Sequence, residues 1–236
     1  MSLREKFITN FIQDNRWRYI TDGLSVTLRV TFFAVLLGIA LGVIIAIIRS
    51  TYDKNKSSLR GFSKGILFIL DLLCKVYLTV IRGTPVVVQL MIMYFIILVS
   101  SNNKVLVAVL AFGFNSAAYV AEIFRSGIMS IDEGQFEAGR SLGFNYVQTM
   151  WYIVIPQAFK NVLPALANEF IVLLKETSVA GYVGLQDLTK GGDIIRSRTF
   201  EPFMPLIGIA LIYLVMVMFF TWLVGILERR LRNSER

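Results

Sequence analysis

Glu137-Ala138-Gly139, then Gly143, then Ile153-Val154-Ile155-Pro156 mark a polar island between hydrophobic stretches. Asp132 and Glu133 stand at the start of a short helical stretch, residues 135–142, where the helix dipole favours acids. Gly143 can end that helix in a left-handed conformation that residues with a Cβ resist. A second segment, residues 146–155, leads to Pro156, which has no backbone donor with which to continue an undisturbed helix. The pattern predicts a rigid helix-turn-helix elbow at a membrane surface, offered to a soluble partner. The plainer reading is an amphipathic helix lying in the interface between two spans.

The rest of the chain explains why a membrane is involved. Of 236 residues, 56% are hydrophobic and 17% charged, and the mean hydropathy is +0.65. A chain this apolar and this long is expected to be an integral membrane protein with several spans. There is no histidine, hence no histidine general base or metal ligand, and the single cysteine, Cys74, excludes an internal disulfide. No catalytic residue and no metal site is expected. The net charge of +8 lies in loops and at the tail rather than on a basic face interleaved with aromatics, which points to membrane lipid and not to nucleic acid. Residues 1–24 carry Arg4, Lys6, Arg16 and Arg18 without a continuous apolar core, so they read as an interfacial segment and not as a cleaved signal peptide.

A hydrocarbon core of about 30 Å needs roughly 20 helical residues. The clearest spans are residues 30–48 and 203–227; residues 105–121 and 161–185 follow, the last containing Glu169, Lys175 and Glu176. Residues 65–99 read as one long span broken at Arg82-Gly83-Thr84-Pro85, with Asp71 and Lys75 at an i,i+4 spacing that lets them neutralise each other. The expectation is an all-α, polytopic bundle of five transmembrane helices with one short helix in the elbow. Arg49, Lys54, Lys56, Arg60 and Lys64, then Arg125 and Arg140, then Arg229, Arg230, Arg232 and Arg236 mark the cytoplasmic side. The C-terminus is therefore expected inside and the N-terminus outside, with the elbow in the cytoplasm.

Three polar sites stand inside these spans. Asn115, Tyr119 and Glu122 recur at i, i+4 and i+7 with Ser116 beside them, a polar helix face that is expensive at bilayer depth unless it meets a cavity or a partner helix. Gly113, Ala117 and Ala121 form a small-residue face suited to close helix packing. Arg82, at the broken helix, can hold a carboxylate through paired guanidinium donors or serve as a structural cation. Lys175 and Glu176 are adjacent and so point about 100° apart, toward different partners. Each site has a bracing alternative: hydrogen bonds or charge pairs that hold the bundle in register.

The elbow resembles the EAA loop of permease subunits of bacterial ATP-binding-cassette importers, with Gly139 for the second alanine and Ile155 for leucine. Arg82-Gly83-Thr84-Pro85 and Lys175-Glu176-Thr177-Ser178 are similar to segments of the polar amino-acid branch, of glutamine, histidine and arginine type. The resemblance implies an importer transmembrane domain over residues 25–228, with the loop at 137–156 and a cytoplasmic tail at 229–236. It also implies a cytoplasmic ATPase dimer that binds ATP and Mg, a second permease copy or a related permease, and an extracytoplasmic amino-acid-binding protein. Glu137, Ala138, Gly139, Gly143 and Pro156 would then contact the ATPase, and Arg82, Asn115, Ser116, Tyr119, Glu122, Lys175 and Glu176 would line the substrate path. The chain has no Gly-x-x-x-x-Gly-Lys-Ser/Thr phosphate loop, so ATP hydrolysis falls to another polypeptide. An ion-coupled secondary transporter and a structural membrane subunit remain the alternatives.

Overall fold

The computed structural model describes residues 2–55 and 61–233. Among them the chain is helical: α1 (Leu3–Phe7), α2 (Trp17–Asn55), α3 (Gly61–Gly83), α4 (Val86–Ile92), α5 (Lys104–Met129), α6 (Glu133–Ser141), α7 (Tyr146–Thr149), α8 (Ile155–Glu176), α9 (Leu188–Thr199) and α10 (Phe203–Asn233). Residues 56–60 of the expected loop after the first span, Met1, and residues 234–236 of the expected tail lie outside the described residues.

Three helices are long and apolar enough to cross a membrane, Trp17–Lys54, Lys104–Met129 and Phe203–Leu231. Lys64–Gly83 and Val86–Ile97 qualify together as a pair bent by 109°. They account for four of the five expected spans. The fifth, expected over residues 161–185, corresponds to α8, whose 22 residues would cover about 33 Å. Its four charges, Lys160, Glu169, Lys175 and Glu176, keep it from reading as a simple apolar span. The helix also stops short of the expected end, at Glu176, and continues to Val183 as a 3-10 turn.

α2 and α5 form the centre. A Cβ on Gly38 would lie 2.8 Å from Ser116 Oγ and 3.3 Å from the Ala117 amide, and one on Gly42 would lie 2.9 Å from the Ala117 carbonyl. Two backbones approach closely only because these positions carry no side chain, and dispersion then replaces lipid contact. Ala117 and Ala121 are buried in this interface, so the small-residue face is a packing face. Phe112, Leu90 and Leu173 fill the adjoining core.

At the end away from the elbow, the N-terminal segment is fastened to the corner between α9 and α10. Buried Asn10 accepts from Thr199 Oγ1 at 2.8 Å, and Lys6 lies 3.7 Å from Glu201. α2 begins at Trp17 and crosses residue 24 without a break. Cations expected in loops or the tail lie in helices that run beyond their apolar stretches: Arg49 and Lys54 in α2, Lys64 in α3, Arg125 in α5, and Arg229, Arg230 and Arg232 in α10.

Candidate functional site

The break after α3 is stitched by one side chain. Gln89 Nε2 shares its two hydrogens among three acceptors, the Ile81 carbonyl at 2.7 Å, the Thr84 carbonyl at 3.0 Å and Thr84 Oγ1 at 2.8 Å. Backbone acceptors freed by an interrupted helix must find donors at this depth, and the glutamine amide supplies them. Its Oε1 accepts from Asn115 Nδ2 at 3.0 Å, which ties the break to α5. One residue on, fully buried Ser116 donates to Glu169 Oε1 at 2.9 Å and ties α5 to α8. Asn115 is 3% exposed. These two members of the polar face thus make interhelical hydrogen bonds, and Asn115 Oδ1 is left without a hydrogen-bond partner.

Tyr119, Glu122 and Arg82 come together around a cavity of about 550 Å³, also lined by Arg125, Asn161 and Glu169. The Arg82 guanidinium carbon sits 5.8 Å from the centre of the Tyr119 ring, close enough for a cation–π contact. Glu122 accepts from Arg49 Nη1 at 2.8 Å and from Arg125 Nη2 at 3.0 Å, with Arg82 at 4.0 Å. Asp71 pairs with Lys75 at 2.7 Å, as the spacing predicted, and also with Arg49 Nε at 3.5 Å. Arg49 thus joins α3 to α5 from α2. A second cavity of about 560 Å³ shares Arg82 and Glu122 with the first and is also lined by Arg49, Lys75 and Thr79.

Lys175 and Glu176 line neither cavity. The acid that α8 supplies to the first one is Glu169, two turns earlier, which the sequence reading named as a polar group but left out of the site. Arg49, Arg125 and Gln89 were also missed. The i,i+3 spacing of Arg125 from Glu122 was a usable signal. Nothing local marks Arg49 or Gln89, whose partners lie on other helices.

The elbow has the predicted form. Asp132 Oδ1 caps α6 by accepting from the Gly134 amide at 2.6 Å. At the other end, Gly143 has φ of 81°, the Phe144 amide donates to the Gly139 carbonyl at 3.0 Å, and the Gly143 amide donates to that of Arg140 at 2.9 Å. This is a Schellman closure, which needs the left-handed residue that glycine provides without steric cost. Gly139 is buried against Thr149, whose Oγ1 a Cβ would approach to 2.6 Å, so glycine here sets how closely the two arms fold together. Pro156 lies in the first turn of α8 and does not end the segment: a π-helical turn at Met150–Val154 absorbs the missing donor, and the helix runs on. Glu137 and Ala138 are exposed, beside exposed Leu142, Val147, Trp151 and Tyr152. Lys54 at the end of α2 reaches the elbow, 3.8 Å from Glu133 and 4.1 Å from the centre of the Phe136 ring.

Comparison with known proteins gives these features a setting. The arginine transport system permease protein ArtQ of Bacillus subtilis (strain 168) is 37% identical over 220 residues, 92% of this chain and 94% of that protein. A crystal structure of an amino acid ABC transporter with histidines superposes with a TM-score of 0.79 at 43% identity, covering 90% of this chain and 94% of its own. The inward-facing MetNI methionine ABC transporter shares the fold, with a TM-score of 0.75 at 16% identity over 98% of this chain and 99% of that one. Residues 57–233 match the model of the binding-protein-dependent transport system inner membrane component. With the bent helix pair, the buried polar face and the elbow in place, the chain belongs to that family.

Proposed function

We propose that the protein is the transmembrane permease subunit of an ATP-driven importer of polar amino acids. The observation that carries this reading is the elbow, a closed and capped polar turn that presents Glu137 and Ala138 next to four large exposed apolar side chains. A patch of that kind marks a contact with protein or with membrane, and its setting on a closed, capped polar turn favours protein. In this reading it seats on a cytoplasmic ATPase that binds ATP and Mg, and Glu137, Ala138, Gly139, Gly143 and Pro156 transmit its movement. The relatives' names supply the substrate class.

The transmembrane domain of residues 25–228 takes in most of α2, whose first turns from Trp17 lie with residues 1–16 at the outer interface, and most of α10, whose charged end from residue 229 begins the cytoplasmic tail. A second copy of this chain is favoured over a related permease as the other half of the pathway, with an extracytoplasmic amino-acid-binding protein delivering substrate. Arg82, Tyr119 and Glu122 line the path directly. Glu122 is held by Arg49 and Arg125, which leaves Arg82 donors for a substrate carboxylate and Glu169, across the same cavity, for an ammonium. Asn115 and Ser116 shape the path by bracing its walls, and Lys175 and Glu176 stand further along α8.

The elbow is tested by replacing Glu137 with Lys and Gly143 with Pro together in the assembled, reconstituted complex. Proline cannot adopt the φ of 81° at Gly143, a mismatch of about 1–3 kcal/mol or more. Amino-acid uptake should fall at least about tenfold while the permease still inserts. Uptake equal to that of the native complex overturns the assignment.

A further inference from the structure

The cavity of about 560 Å³ between α2, α3 and α5 has an unbalanced charge. Three of its lining residues are cations, Arg49, Lys75 and Arg82, against one lining carboxylate, Glu122; Asp71 and Arg125, outside the lining, pair with them and leave four cations to two carboxylates. Lys75 holds one oxygen of Asp71 at 2.7 Å and leaves the other, 3.5 Å from Arg49, without a hydrogen bond, while Arg49 and Arg125 hold the two oxygens of Glu122 at 2.8 and 3.0 Å. Arg82 is left with a 4.0 Å approach to an oxygen that Arg49 already occupies. Counting Glu169, across the neighbouring cavity and bonded to Ser116, still leaves one positive charge unmatched among these residues.

Cations gathered around an open cavity at bilayer depth draw a counter-charge wherever there is room for one. Here there is room. The Arg82 and Lys75 side chains are 46% and 47% exposed, both face this cavity, and Thr79 lies between them on α3. A guanidinium carries five donors and an ammonium three, of which few are spent here.

We propose that this cavity is an anion subsite that holds one small anion, a chloride or a carboxylate, between Arg82 and Lys75. The carboxylate can come from the transported amino acid or from a free organic acid. The charge balance stands apart from the docking of the elbow, and the test needs no transport, so its failure and a failure of the uptake experiment are separate results.

The probe is chloride, followed by the excess 35Cl line width that the purified complex induces in lipid nanodiscs. The native complex should broaden the line saturably. Arg82→Gln and Lys75→Gln should each weaken that binding by about tenfold, the loss of one hydrogen bond to a charged group. Thr79→Glu places a carboxylate in the cavity and should abolish the broadening while the complex stays assembled by size exclusion; Thr79→Gln, of the same size without the charge, should retain it. Displacement of chloride by acetate identifies a free anion as a resident, and displacement by amino acid but not acetate identifies the substrate carboxylate. Line widths unchanged in Arg82→Gln, Lys75→Gln and Thr79→Glu alike would mean that the cavity holds water only, and the proposal falls.

Discussion

Glu122 is the side chain on which three helices converge. It receives Arg49 from α2, Arg82 from α3 and Arg125 from its own α5. Replacing it with glutamine keeps the shape and removes the charge, leaving three guanidinium groups facing one another. Breaking a mostly buried pair from one side costs about 3–5 kcal/mol. Glu122→Gln should therefore lower the thermal midpoint of the assembled complex markedly, whereas Lys175→Gln, on an exposed side chain, should hardly change it; equal midpoints for native and Glu122→Gln complexes would contradict the geometry. Part of this cluster is legible in the sequence, since Asp71 with Lys75 and Glu122 with Arg125 are one-turn neighbours. Arg49 is not, because its partners are contributed by two other helices. An arginine after an apolar run reads as the end of a span until the neighbouring helices are in place.

Among the elements, those governed by local chemistry were the most readable. The elbow follows from a capping aspartate, a left-handed glycine and a proline within some two dozen residues, and the break at Pro85 follows from proline's missing donor. The 109° bend and its repair by Gln89 do not, since the repair depends on where α5 lies. The π turn before Pro156 is of the same kind: the sequence says that the helix is disturbed there, and only the packing of α7 and α8 shows that it continues. α9 offers a test at this scale. Lys190 and Arg196 hold the Asp193 carboxyl below the usual aspartate range, with hydrogen bonds of 2.9 and 2.6 Å. Because the folded value is depressed, the stabilisation is complete above the unfolded value of about 3.9 and is lost as the pH falls through the folded one. Amide exchange in α9 should accelerate over that acid range, and Asp193→Asn should remove the acceleration; an α9 whose exchange has the same pH profile with and without the aspartate would refute the pairing.

On the scale of the whole molecule, the apolar stretches announced a helical membrane bundle, while α8, with its four charges, was harder to bound. In the orientation proposed from the loop charges, the elbow lies in the cytoplasm and the α9 segment outside. In a Cys74→Ala background, a cysteine at position 137 should react with an impermeant reagent only from the cytoplasmic side, and one at position 198 only from the opposite side. Reaction of position 137 from outside would invert the topology. The position of Arg49 has a consequence for how the protein is made. It leaves the ribosome with α2, but its partner Glu122 lies 73 residues later, a delay of about 4–15 s at 5–20 residues per second. Asp71 arrives first and gives the arginine its earliest neutral setting. Until α5 enters beside it, α2 must wait in the bilayer with Gly38 and Gly42 facing lipid instead of Ser116 and Ala117, so the order of synthesis makes α3 the escort and α5 the closing piece of the newborn bundle.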